Sequence, residues 1–320
     1  MGIMAALSLA VGVSVFIFGM LLMKYALENS FREKLGVILE KFTSNRFSSV
    51  FTGAFVTMAM QSSSASSVLT AAFVDSGILS LYRAFWIIVG ANVGTTFTGL
   101  LTAFSFTETA PAFCIPGIIL LSMSKKRKLN SIGIFLTGFG LLFVGMALMG
   151  EATGEIKNYD FFTEILISCS SPVMGILTGC LFTAVIQSSS AVTALLQTLG
   201  NDGILGIRQA FYIILGSNIG TCATCSIASM GLKAGAKKVS LMHILYNFFG
   251  AVIFLVIAEF FPLPEIVENY FPGNIKTQIA AVNIVFNIST AVFALVLPIR
   301  EKQTQVRHIV FSKRASVIVK

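Results

Sequence analysis

The sequence predicts an all-α polytopic membrane protein. Its expected architecture is two inverted-topology repeats, each with a re-entrant helix hairpin and a broken transmembrane helix, followed by one last transmembrane helix. Three observations lead there: composition, an internal repeat, and an alternation of charge between loops. Of the 320 residues, 55% are hydrophobic and 11% are charged, whereas a soluble domain carries about a quarter charged residues.

The repeat is most visible at Gln61-Ser62-Ser63-Ser64-Ala65, which recurs as Gln187-Ser188-Ser189-Ser190-Ala191, 126 residues on. At that offset Gly90-Ala91-Asn92-Val93-Gly94-Thr95 meets Gly216-Ser217-Asn218-Ile219-Gly220-Thr221, and 20 of the 46 positions from Phe51 to Thr96 are identical without a gap. Gly19-Met20 also pairs with Gly145-Met146. Two homologous halves follow, residues 1–126 and 127–258, with residues 259–320 as an outer loop, a last transmembrane helix and a basic cytoplasmic tail.

Loop charge orients the halves. Residues 24–46 carry Lys24, Arg32, Lys34, Lys41 and Arg46, whereas their mates at 150–165 carry Glu151, Glu155, Asp160 and Glu164 against one Lys157. Residues 104–111 carry only Glu108, whereas their mates near 231–239 carry Lys233, Lys237 and Lys238. Residues 125–130 and the tail from Arg300 are basic, and 259–270 are acidic. Basic loops stay on the cytoplasmic side, so homologous positions fall on opposite faces. The N-terminus is expected outside and the C-terminus inside a plasma or inner membrane.

Taken in order, residues 3–23 are long enough to span. The apolar stretch Leu7–Leu22 lacks the basic start and cleavage site of a signal peptide. Segments 47–60 and 65–74 are each too short for a bilayer core of ~30 Å at ~1.5 Å per residue. Together they fit a re-entrant hairpin over 47–74; two spanning helices would leave the parity of crossings unchanged. Residues 83–103 read as a span broken at Gly90–Thr95, and 109–124, with Pro111 and Pro116, as a return. The second half repeats this: a span at 131–149, a hairpin over 172–199, a broken span at 208–230 and a span at 240–258, before a last span at 278–298.

A polar run in hydrocarbon is costly unless each group finds a partner. Ser64 and Ser190 are expected as N-caps of the helices that follow. Helix starts expose backbone N–H groups and a partial positive charge, so two of them beside serine hydroxyls form an oxyanion pocket without a basic side chain. Gln61 and Gln187 stand ready to donate to the anion or to orient the turn. The helix ends near Met60 and Ile186 offer carbonyls to a hard cation, with further oxygens from Asn92, Thr95, Asn218 and Thr221. Residues 47–74, 84–107, 165–200 and 209–232 contain no Lys, Arg, Asp, Glu or His. An anion held there needs bound cations, so cotransport with a cation such as Na+ follows. Proton coupling normally uses an intramembrane titratable group, and these segments lack one.

Ser, Thr and Gly also serve plain helix packing, but two identical runs, each followed by Asn-x-Gly-Thr 28 residues after its last serine, exceed what packing requires. The five cysteines, including Cys222 and Cys225, read as small packing residues, and no transition-metal cluster is expected. His243 reads as structural. The net charge of +8 belongs to the loops and not to a nucleic-acid surface. No activated nucleophile or nucleotide loop points to an enzyme, and no organic cofactor is expected.

These residues resemble the type II sodium/phosphate cotransporter family, whose signature is a duplicated Gln-Ser-Ser-Ser motif, each copy followed by a Gly-Ala-Asn-Ile-Gly-Thr type sequence. His243-Ile244-Leu245-Tyr246-Asn247 and Asn283-Ile284-Val285-Phe286-Asn287 resemble its His-x-x-Phe-Asn elements. The resemblance implies Na+-coupled phosphate uptake by alternating access. Phosphate would be held by Gln61, Ser62, Ser63, Ser64, Gln187, Ser188, Ser189 and Ser190, and Na+ near Gln61, Asn92, Thr95, Gln187, Asn218 and Thr221. The alternatives are a symporter of another anion, such as sulfate or a dicarboxylate, an ion or solute channel, and a membrane sensor without transport.

Overall fold

The computed structural model describes residues 2–104, 108–123, 126–156, 159, 164 and 167–299. Parts of the acidic 150–165 loop, Lys125 and the basic tail from Arg300 lie outside the described residues. The described residues are helical, without strands: α1 (Gly2–Lys41), α2 (Arg46–Met60), α3 (Ser63–Asp75), α4 (Leu81–Ala103), α5 (Ala110–Met123), α6 (Arg127–Ile156), α7 (Pro172–Ile186), α8 (Ser189–Asn201), α9 (Ile207–Gly220), α10 (Cys222–Ser229), α11 (Ala234–Phe260), α12 (Leu263–Tyr270) and α13 (Ile275–Val296). Six helical segments are long and apolar enough to cross a bilayer: Ile3–Ser30, Leu81–Ala103, Arg127–Glu155, Ile207–Ser229, Ala234–Ala258 and Ile275–Val296. The protein is therefore all-helical and multi-pass.

Several expectations are corrected. The basic stretch after the first span is not a loop, because α1 continues to Lys41 and carries Lys24 on a helical turn, paired with Glu28 at 3.7 Å. Residues 83–103 are not a broken span, because α4 is continuous. Thr95 Oγ1 donates to Ala91 O at 3.0 Å and Thr96 Oγ1 to Val93 O at 2.7 Å, so the polar side chains are satisfied by the helix itself. In the second half the interruption is limited to Thr221, whose φ of −57° and ψ of −27° remain helical. The return at 109–124 is the 14-residue α5, with Pro116 inside it, about 21 Å long at 1.5 Å per residue. It lies antiparallel along the first part of α6, Gly117 meeting Gly133 and Thr137 while Ala110 and Cys114 meet Gly140. Finally, residues 259–270, expected as a loop, contain α12.

Small residues set the helix spacing. A Cβ on Gly90 would sit 1.9 Å from Val50 O, and one on Gly216 would sit 1.9 Å from Ile176 O. Gly53 and Gly179 meet Ile87 O and Ile213 O in the same way, at 2.1 and 2.0 Å. The glycines of the Asn-x-Gly-Thr segments thus admit a backbone neighbour and do not unwind the helix, which is the close approach that small residues permit between membrane helices. α1 and α6 run antiparallel, with Gly12 against Gly145 and Met149, and Gly19 against Gly138 and Leu142.

The second arm of each hairpin crosses to the other half of the chain: α3 packs on α10 and α11, whereas α8 packs on α4 and α13. Carboxylates tie the far ends of those arms. Asp75 Oδ1 accepts from Lys233 N at 2.8 Å, and Asp202 Oδ2 accepts from Thr153 Oγ1 on α6.

Candidate functional site

Each Gln-Ser-Ser-Ser run is a tight helix–turn–helix joint. Gln61 (φ 52°) and Gln187 (φ 58°) are the only non-glycine residues with positive φ among the described residues. Each ends its first helix, donating its backbone N–H to Thr57 O and to Thr183 O respectively. A left-handed glutamine is unfavourable by roughly 1–2 kcal/mol. It occurs at both copies, where glycine is the ordinary choice.

The N-caps are Ser62 and Ser188, not Ser64 and Ser190 as expected. Ser62 Oγ accepts from Ala65 N at 3.1 Å, and Ser188 Oγ accepts from Ala191 N at 3.2 Å. The helices begin two residues earlier than expected because the left-handed glutamine completes the reversal in a single residue, leaving the next serine extended, with φ near −157° and −148°. Ser66 N and Val192 N already bond to Ser62 O and Ser188 O. The donors left at each helix start are the N–H groups and hydroxyls of Ser63 and Ser64, and of Ser189 and Ser190. Among the described residues those four hydroxyls make no bond within the protein.

The two copies differ in surroundings. Gln61 is half-buried; its Nε2 donates to Met58 O at 2.7 Å, and its Oε1 accepts from Thr98 Oγ1 of α4 at 2.7 Å. Gln187 is exposed. Ser63 is buried where its mate Ser189 is half-buried, and Ser190 is buried where Ser64 is half-buried. Among the described residues no hydrogen bond joins the two turns.

The candidate cation ligands are arranged as acceptors. Thr95 and Thr221 direct their hydroxyl protons to Ala91 O and Ser217 O, at 3.0 Å each, which leaves oxygen lone pairs for a ligand. Asn92 is buried and donates to Asn247 Oδ1 at 2.7 Å, while Asn218 donates to Ile214 O at 2.9 Å. In both cases the Oδ1 atom stays available to a cation. Among the described residues no group of three or more His, Cys, Asp or Glu side chains could hold a metal.

Sequence reading missed Thr98, Gln197 and Thr193. Gln197, on α8 and fully buried, donates to Gly99 O at 2.8 Å and to Lys276 O at 3.2 Å, and Thr193 packs against Gly99. A polar residue one turn beyond Asn-x-Gly-Thr was a usable sign for Thr98. Nothing in the linear sequence joins Gln197 to Gly99, 98 positions away.

The family described as Na+/Pi-cotransporter matches residues 15–151 and 160–266. The uncharacterized protein YqeW of Bacillus subtilis is 30% identical over 286 residues, covering 88% of this chain and 91% of YqeW. YjbB of Salmonella typhimurium, provisionally named as an inorganic phosphate export protein, is 24% identical over 82% of this chain, which spans 48% of YjbB. Sodium-dependent phosphate transport protein 2C of Mus musculus is 33% identical over 44% of this chain and 24% of its own length. No solved structure matches.

Proposed function

Because this chain belongs to the Na+/Pi-cotransporter family, we propose that it moves inorganic phosphate across the membrane together with Na+, by alternating access. The observation that carries the reading is the pair of Gln-Ser-Ser-Ser joints, each leaving two serine N–H groups and two hydroxyls free in a segment without charged residues. Phosphate is held by those donors, with Gln61 and Gln187 at the turn. Ser62 and Ser188 shape the helix starts from their capping positions. A dianion there is only partly offset by helix ends of about half a charge each. Na+ bound by Asn92, Thr95, Asn218, Thr221 and the glutamine oxygens supplies the remaining positive charge, so neither ion binds well without the other.

The halves act as inverted repeats carrying re-entrant hairpins, with the N-terminus outside. The loop charges support this, as do the antiparallel contacts of the repeat mates α1 and α6. Secondary transporters of that construction bind their substrate between the repeats and expose it to each side in turn. The six apolar helices support a place in a cell membrane, and the family supports transport rather than catalysis.

The test uses the purified full chain in proteoliposomes. Labelled phosphate should accumulate above equilibrium when a Na+ gradient is imposed, and only then. Absent or Na+-independent phosphate movement would defeat the reading, and sulfate or succinate outcompeting phosphate would transfer it to another anion. A second reading, net export, draws on the name of YjbB, which aligns with most of this chain. Both directions use the same site, and phosphate efflux from intact cells decides between them.

A further inference from the structure

The correspondence between the two halves extends to α11 and α13, which the 126-residue repeat does not relate. A Cβ on Gly235 of α11 would sit 3.2 Å from Val74 Cγ1 of α3, and one on Gly200 of α8 would sit 2.7 Å from Ile275 Cγ1 of α13. Val74 and Gly200 are repeat mates, so Gly235 corresponds to Ile275, an offset of 40. That offset also lays His243 on Asn283, Asn247 on Asn287, and Ala251-Val252 on Ala291-Val292. A second contact agrees. Gly99 faces Thr193, with Asn283 Nδ2 at 3.7 Å from its Cβ position, while α10 and α3, which carry their mates Cys225 and Ser67, pack on each other and on α11.

With that correspondence, Asn92 and Asn247 have Asn218 and Asn287 as counterparts. The first pair is closed: Asn92 Nδ2 donates to Asn247 Oδ1 at 2.7 Å. The second is open. Asn218 turns its amide onto Ile214 O of its own helix, and Asn287 Nδ2 donates to Asn283 O and Oδ1, both at 2.9 Å. Asn287 Oδ1 is buried with no partner among the described residues. α4 packs on α11 as α9 packs on α13, so the helices needed for the second bond already touch. Buried polar atoms rarely go unpaired without a reason, and here an equivalent atom elsewhere in the same chain has its partner.

We propose that the two pairs are alternatives: the Asn92–Asn247 bond present here gives way to an Asn218–Asn287 bond when the site faces the opposite side. Asn247 and Asn287 are then positioning residues that hold the site-bearing helices α4 and α9 in one or other setting. One hydrogen bond between side-chain amides is broken and an equivalent one made, so neither state is left with the deficit alone, as a two-way transporter requires. The proposal rests on the inverted-repeat, alternating-access reading above.

The test uses the full chain with its five cysteines replaced by alanine, reconstituted in lipid and treated with a short thiol cross-linker. Asn218→Cys with Asn287→Cys should cross-link, with a yield raised about twofold or more by adding Asn247→Ala. Asn92→Cys with Asn247→Cys should cross-link with a yield raised likewise by Asn287→Ala, as expected of two states in exchange. An Asn218/Asn287 pair that never cross-links, or yields indifferent to the third substitution, would overturn the proposal. As a separate measurement, Asn287→Ala in the native-cysteine chain should lower the maximal phosphate flux about tenfold while leaving the KM for phosphate within about twofold. A loss of melting temperature with flux and KM unchanged would mean a packing role only and would also overturn it. A wild-type chain that carries no phosphate with Na+ defeats the transport reading. A static cross-linking pattern in a chain that does carry phosphate defeats this proposal alone.

Discussion

Thr98 Oγ1, on α4, donates to Oε1 of Gln61, the left-handed residue at the first hairpin joint, at 2.7 Å. With Nε2 on Met58 O at 2.7 Å, the glutamine amide is clamped at both ends, one of them by a helix outside the hairpin. The second joint differs. Gln187 is exposed, and the repeat mate of Thr98 is Thr224 on α10, whose buried hydroxyl lacks a partner among the described residues.

Thr98→Val keeps the shape and removes the donor. A neutral hydrogen bond is worth ~1 kcal/mol net, so the apparent affinity for the coupling cation should fall about fivefold. The Na+ dependence of phosphate uptake measures this, and an unchanged Na+ midpoint would remove Thr98 from the site.

Capping and ligand-binding serines should separate. Ser62→Ala and Ser188→Ala each lose an N-cap worth about 1 kcal/mol, visible as a lower melting temperature in detergent. Ser63→Ala and Ser189→Ala lose no capping bond and should melt like the wild type while phosphate transport falls severely. Equal transport by well-folded Ser63→Ala or Ser189→Ala protein would exclude that hydroxyl as a ligand.

The left-handed glutamines predict a trade between stability and function. Gln187→Gly relieves a backbone conformation that disfavours side chains by about 1 kcal/mol, so its melting temperature should hold or rise. Transport should nevertheless collapse, because the amide is lost. Preserved transport at raised stability would show that the side chain is dispensable.

Gly90→Ala and Gly216→Ala put a methyl group 1.9 Å from a carbonyl oxygen of the adjacent hairpin arm. Backbone cannot give way as a side-chain tip can, and overpacking costs at least ~1–3 kcal/mol. Both variants should lose monodisperse behaviour on size-exclusion chromatography. Gly154→Ala and Gly231→Ala, with nothing within 4 Å of the added carbon, should behave as the wild type.

On α12, burial pushes the Glu265 carboxyl up, but its hydrogen bond with Arg208 outweighs this and holds it below the usual carboxylate range. Its contribution is present above the unfolded carboxylate range and is lost as pH falls through the depressed folded value. The pair is exposed, so the effect is at most ~1 kcal/mol. Arg208→Gln should lower the melting temperature slightly at neutral pH, and the difference should vanish in acid.

The helix–turn–helix joints are legible because a letter-for-letter polar repeat in an apolar chain has few purposes, and the two arms of the first are 15 and 13 residues long. The expected break in the first half is absent, because α4 is continuous, whereas in the second half the helix stops at Gly220 and restarts at Cys222. Gly90 and Gly94 look like places to unwind in a linear sequence, and only the carbonyls of Val50 and Ala54 at their Cβ positions reveal them as packing sites. The N-caps were displaced by two residues for a similar reason, since a non-glycine left-handed residue is not anticipated by propensity.

Composition and the repeat suffice to specify a membrane protein with two related halves, each carrying a polar Gln-Ser-Ser-Ser run in an apolar segment without charged residues. These are properties of residue identity and of the cost of placing polar groups in lipid, so they need no coordinates. Which groups meet across the halves, as Asn92 with Asn247, Thr98 with Gln61, and Gln197 with Gly99, was decided by packing. Contacts between residues far apart in sequence depend on helix spacing and rotation, which single close approaches at glycine set.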